Sequence, residues 1–189
     1  MEEVEKDFIA QCKFLKAVGA DTIGASEQSY SIQGQMHTPV FECKYVMVQK
    51  EWERFAKGMN RLGEIADSMG MKLVYHHHMG TVVQTAAEID KMMDMNDPDK
   101  FSLLFDSGHL KYCGEDYVEV LKKHVKRVKH VHLKDIRPDV VKKVKDEKLS
   151  FLQGVRAGAF TVPGDGCIDF APIFDILDAA GYKGWMIVE

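Results

Sequence analysis

Four apolar runs of strand length each end on side chains that can bind a metal or carry a proton, and this recurrence constrains the fold more than any other feature. "MKLVYH" (71–76) ends on His76, "FSLLFD" (101–106) on Asp106, "VKHVHLKD" (128–135) delivers His132 and Lys134, and "GWMIVE" (184–189) ends on Glu189. Helical patterns separate them, around 85–95, around 116–124, from Pro138 to about Gly158, and over 170–180 before Gly181. Upstream, 2–18 has Val4, Phe8, Cys12, Leu15 and Val18 near helical spacing before Gly19, and "ADTIGAS" reads as a short buried strand. The stretch 51–69 is helical through Trp52, Phe55, Met59, Leu62 and Ile65. Strands alternating with amphipathic helices predict an α/β fold on a parallel sheet. In an open sheet the polar strand ends would be strung along an edge; in a (β/α)8 TIM barrel they converge on one mouth. The barrel is therefore expected, as a single domain over 1–189. Only five strands can be placed, so the chain reads as roughly the last five β/α units of a barrel. Two open sheet edges and an uncovered interior would then favour poor solubility or a homo-oligomer.

Several function classes lose support. A net charge of −4 argues mildly against nucleic acid or an anionic membrane as the main partner, since both reward a basic face. The opening "MEEVEKDF" lacks the layout of a signal peptide, and no apolar run nears the length of a membrane span. The four cysteines are scattered with no CxxC pair, which fits reduced thiols in a cytoplasmic protein. No GxGxxG or P-loop pattern follows a strand.

Chemistry concentrates at the strand ends. In "FDSGHL", Gly108 is expected to let the chain turn so that His109 sits beside Asp106; the plainer reading is an N-capping Asp and a solvent histidine. Carboxylate with imidazole suits Mn, Co, Fe or Zn better than Ca or Mg. Alternation sends His130, His132 and Lys134 to one face, so Lys134 either points inward to a carboxylate or substrate or reaches solvent beyond the strand. The same parity divides "YHHHMGT", with His76 and His78 on one face and Tyr75, His77 and Met79 on the other. His76 or His78, not His77, is the expected metal or substrate contact. Glu189 is where solvent begins or the fourth member of the constellation. In "FTVPGDGCIDF", Asp165 lines the mouth or belongs to a structural turn, and Asp169 caps the following helix. Glu27 and Gln28, ending the first strand, are weaker candidates for hydrogen bonds to substrate. The long irregular segment from Glu27 to Gln49 has the length of a functional loop.

Together, "LKAVGAD", "SEQSYSIQG", "LGEIADSMGMKLVYHHHMGT", "FDSGHL", "HVHLKDIRPDVV", "FTVPGDGCIDFAPIFDIL" and "YKGWMIVE" resemble the xylose-isomerase-like barrel superfamily over essentially the whole chain. "YHHHMGT" and "FTVPGDGCIDF" most resemble its inosose dehydratases. The resemblance implies a divalent ion, Mn or Co, held at the ends of the last four strands. Asp106, His132 and Glu189 match the superfamily's ligands, and His76 stands where a Glu is common. It also implies residues before Met1 and after Glu189, and a small polyol ketone, 2-keto-myo-inositol, losing water in myo-inositol catabolism. Glu189 or His78 would be the base and His109 or Lys134 the acid. A sugar isomerase or epimerase on the same site, and a non-catalytic fragment or binding protein, are the alternatives.

Overall fold

The computed structural model describes residues 2–189. In chain order the elements are α1 (Glu2–Ala17), β1 (Thr22–Ala25), α2 (Gln49–Ser68), β2 (Lys72–His76), α3 (Ala86–Met95), β3 (Phe101–Asp106), α4 (Ser107–Tyr112), α5 (Tyr117–His124), β4 (Val128–Leu133), β5 (Asp135–Ile136), α6 (Pro138–Asp146), α7 (Phe151–Arg156), β6 (Phe160–Thr161), α8 (Ala171–Ala179) and β7 (Met186–Val188). Five strands form one parallel sheet in the order β1-β2-β3-β4-β7. This is the partial barrel wall expected from the alternating pattern. Register brings the polar strand ends level: His76 pairs with Leu104, Asp106 with His132, and Leu133 with Val188.

Two-residue alternation decides which side chains the helices cover. Leu73, Tyr75, Leu103, Phe105, Val131 and Leu133 join Phe8 and Cys12 of α1, Trp52, Phe55 and Leu62 of α2, and Ile89 and Met92 of α3 in one core. Removing each large apolar side chain there from water contributes about 1.5–3 kcal/mol. Helix α2 lies so close to the start of β3 that a Cβ on Gly63 would be 2.5 Å from the Lys100 carbonyl oxygen. Helix α3 starts at a reciprocal cap, in which Thr85 Oγ1 accepts the Glu88 amide and the Glu88 carboxylate accepts the Thr85 amide.

A second, smaller core contains Ile32, Val40, Met79, Tyr112, Ile136, Val144 and Ala159. It joins the segment after β1 to α6, α7 and the β5–β6 ribbon. The segment is held by Ile32 N–H donating to the Gly80 carbonyl and Val40 N–H to that of Leu149.

Local details depart from the sequence expectation. The strand expected over 128–135 breaks at Lys134, and Asp135–Ile136 pairs antiparallel with Phe160–Thr161 instead. The helix-rich segment divides into α6 and α7, because Lys148 turns through φ 53° and Ser150 opens a new helix by accepting the Gln153 amide. The unforeseen α4 follows Asp106 directly. The last strand is shorter than expected and exposed, with Trp185 71% accessible. Among the described residues, no helix is long and apolar enough to cross a membrane, and Cys12, Cys43, Cys113 and Cys167 are free thiols.

Candidate active site

Asp106 is fully buried at the end of the central strand β3, and its two oxygens divide the labour. Oδ1 accepts the His109 amide at 2.9 Å and caps α4. Oδ2 faces His76 Nε2 at 3.1 Å, Lys134 Nζ at 3.4 Å and His132 Nδ1 at 3.6 Å. The capping reading of this residue is therefore met by one oxygen, while the other is left facing the imidazoles and the ammonium. Burial penalises the charged carboxylate, yet the imidazoles and ammonium around it outweigh that penalty and hold its pKa well below the ordinary value.

Lys134 points inward, and its ammonium also lies 2.5 Å from Glu189 Oε2 and 5.0 Å from the centre of the Phe160 ring. Gly108 makes room for this side chain. A Cβ there would fall 2.6 Å from Lys134 Cγ, and Gly108 has no positive φ, so close packing and not a sharp turn requires the glycine. Ser107 fixes the backbone beside it, donating to the Lys134 carbonyl at 2.7 Å and accepting the Lys134 amide at 3.1 Å. Glu189 is brought in by its amide, which bonds the Leu133 carbonyl, and its Oε2 lies 3.3 Å from His132 Nδ1. The Lys134 ammonium and His132 draw the Glu189 carboxyl below its usual pKa against the opposing effect of burial.

The donor set fits a divalent ion. Ligand atoms of His76, Asp106 and His132 all lie within 4.8 Å of one another. The separations of 3.1 Å (His76 to Asp106), 3.6 Å (Asp106 to His132) and 3.3 Å (His132 to Glu189) resemble the roughly 3–3.5 Å between neighbouring ligands of an ion bound at about 2.1 Å. His132 Nδ1 is buried between the two carboxylates without a hydrogen-bond partner, a cost that coordination would remove.

The three consecutive histidines take different surroundings. His76 and His78 share the cleft with ring centroids 3.8 Å apart, and His78 Nδ1 lies 3.1 Å from Ser26 Oγ. Burial and its neighbouring histidines lower the His78 pKa to about 3, leaving it neutral. His77 is wholly buried, as is Tyr75, and its Nε2 accepts the Asp106 amide at 3.3 Å. Burial holds it neutral too, with a pKa of about 3. His109, also buried, accepts the Met79 amide on Nδ1 at 3.1 Å. A second grouping of nitrogen donors, His76, His78 and His109, falls within the same 4.8 Å span.

Other expected contacts lie apart. Glu27 Oε1 accepts the Ser29 amide, and the residue lines a cavity beside α2 with Arg54 and Phe55. Asp165 is engaged by Arg137 at 2.5 Å and Thr161 at 2.6 Å in an exposed turn. Gln28 joins the cleft indirectly, by donating to Ser26 Oγ at 2.9 Å. Asp169 accepts the Ala171 amide just outside α8. The sequence reading passed over Ser26, Ser107 and Phe160, and also Asp135, whose buried carboxylate accepts the amides of Ile136, Gly164, Gly166, Cys167 and Ile168 at 2.8–3.2 Å. An Asp preceding a Gly-rich turn by about thirty residues was the available signal, with nothing local to connect the two.

A sheet of this topology, with carboxylates and imidazoles gathered at its carboxyl edge, has the form of a TIM-barrel wall with a candidate metal site at its mouth. The profile of the family described as xylose isomerase-like TIM barrel matches residues 2–189, and the chain belongs to that family. It is 64% identical over 188 residues to an inosose dehydratase of Clostridium perfringens, covering 100% of this chain and 63% of that protein. It is 56% identical over 188 residues to an inosose dehydratase of Geobacillus thermodenitrificans, with the same coverage. The chain thus spans 63% of the length of these curated relatives. Among solved structures it resembles the IolI protein with a bound zinc atom, at TM-score 0.69 and 20% identity, covering 98% of this chain and 59% of that one. The probable 3-DHS dehydratase AsbF of Bacillus anthracis gives TM-score 0.71 at 12% identity, covering 98% and 63%. At such identities these structures support the fold alone.

Proposed function

We propose that this chain carries the metal-binding and proton-transfer groups of an inosose dehydratase, a hydro-lyase that removes water from 2-keto-myo-inositol (scyllo-inosose) to give a trihydroxycyclohexane-dione in myo-inositol catabolism. The convergence of His76, Asp106, His132 and Glu189 carries the reading, and the identity to inosose dehydratases supplies the substrate. Loss of a hydroxyl β to a ketone requires removal of the α-proton, cleavage of the C–O bond and a proton for the departing hydroxide. Mn or Co bound by these four residues would supply a Lewis acid for the ketone oxygen. Glu189 and His78 are the candidates for taking the α-proton, His78 being neutral and backed by Ser26. Lys134 and His109 line the same cleft and face the departing hydroxide. Ser26, Ser107 and Gly108 act through these groups by fixing where they point. The enzyme would be cytoplasmic, its partner a small polyol ketone, and a homo-oligomer would cover the exposed strand β7.

The test is a Mn-supplemented assay of scyllo-inosose dehydration by the full-length protein with Asp106→Asn and His132→Gln. Each variant is expected to lose bound metal and at least about a hundredfold in rate. Unchanged metal content and activity in both would sink the assignment.

A further inference from the structure

We infer that His109 is a fixed hydrogen-bond donor to a substrate oxygen and is not a metal ligand. The argument concerns where its single ring proton sits. A backbone N–H can only donate, so the Met79 amide 3.1 Å from His109 Nδ1 requires a lone pair on that nitrogen. The ring proton is then on Nε2. Coordination through Nε2 would demand loss of that proton while Nδ1 still accepts, leaving an imidazolate, so the His76–His78–His109 grouping is not a cation site despite its spacing.

The tautomer is held from both sides. His109 Nδ1 accepts an amide from the segment after β2, and His77, on that segment, accepts the amide of Asp106, the last residue of β3. Asp106 Oδ1 closes the link by accepting the His109 amide at 2.9 Å. Each histidine thus straps the other's chain segment, and neither can turn its ring without releasing a buried amide. Phe160 packs edge-on to the His109 ring with centroids 4.9 Å apart, and Phe151 stacks parallel to it at 6.1 Å. His109 Nε2 finds no protein partner, yet it is not among the sealed, unpartnered atoms that include His77 Nδ1 and His132 Nδ1. An N–H on a rigid ring that neighbours His76 and His78, with ring centroids 5.7 and 4.7 Å away, suits a hydroxyl or carbonyl oxygen of a polyol ketone. This deepens the dehydratase reading, on which the choice of ligand rests. It leaves Lys134 as the group that releases a proton, with His109 keeping its own.

The experiment is long-range proton–nitrogen NMR of the histidine rings in the protein labelled with ¹⁵N-histidine, first alone, then with zinc, then with scyllo-inosose. His109 is expected to give a protonated Nε2 and an unprotonated, hydrogen-bonded Nδ1, unchanged when zinc shifts His76 and His132. Scyllo-inosose should then move the His109 Nε2 signal. Zinc content should be the same in His109→Gln as in the unaltered protein, while kcat/KM falls about tenfold or more, as expected for a lost hydrogen-bond donor. A His109 Nε2 that loses its proton on zinc addition overturns the inference, as does zinc loss from a folded His109→Gln. So does a substrate response at other rings but not at His109. If no ring responds to scyllo-inosose, the dehydratase reading fails with the ligand, whereas the metal-free and zinc spectra still decide the tautomer.

Discussion

Asp106 and Glu189 face the same imidazole and the same ammonium, yet the protein holds them in opposite ways. Asp106 ends a central strand, is inaccessible to solvent, receives the His109 amide on one oxygen, and has its own amide held by His77. Glu189 follows an edge strand whose residues are all exposed, and its side chain is 37% accessible. A carboxylate enclosed this way is part of the architecture. One at an exposed edge has little share in stability.

The sharpest way to break this comparison is Asp106→Ala. It strands His76 and Lys134 opposite an empty position and releases the α4 cap, so unfolding stability in a urea titration should fall by about 3–5 kcal/mol. A loss under about 1 kcal/mol would put Asp106 on the same footing as Glu189. The pH dependence follows with a definite sign. The Asp106 pKa is lowered on folding, so its stabilisation is complete above the unfolded value, near 3.8, and is lost as pH falls through the depressed folded value. Asp106→Asn should flatten that acid limb in denaturation measured from pH 5 downward.

Asp135 extends the buried side of the comparison, since it is 1% exposed and satisfied by five backbone amides. Gly166→Ala would place a Cβ 2.3 Å from Asp135 Oδ1, and a cost of about 1–3 kcal/mol is expected by thermal or urea unfolding. Gly164→Ala meets no neighbouring atom but sits at φ 91°, so it isolates backbone strain from that clash. On the exposed side, Glu189→Gln should change stability by less than about 1 kcal/mol while weakening metal binding, measured by calorimetric titration with Mn. Smallest of all, Trp185→Ser should stay within about 0.5 kcal/mol, because the ring is 71% exposed.

The sequence made the inward set legible because two-residue alternation is a property of the strand itself. His76, His78, His132 and Lys134 could be sorted by parity and Asp106 placed as the end of its strand, and in the structure these five lie together. What it could not convey depends on chain segments returning from far away. Asp135 only continues the pattern of β4 in the sequence, whereas in the fold residues 164–168 return onto its carboxylate. Glu27 and Asp165 were weaker candidates for the mouth, and the Ser29 amide, the Thr161 hydroxyl and Arg137 engage their oxygens. Helix α4 was hidden because its six residues are too short to show a period. The bond of His77 to the Asp106 amide has no signature in spacing.

Lys134 occupies the one position between the barrel wall and the ribbon, with Leu133 closing β4 and Asp135 opening β5. The ribbon and the turn pinned to Asp135 are tied to this point by backbone bonds, while the Lys134 ammonium lies between Asp106 and Glu189. Whatever tilts the ribbon therefore also moves the base of that side chain. Ribbon and lysine are geared together, so a substitution in the turn at 162–168 can shift the Lys134 side chain without touching it.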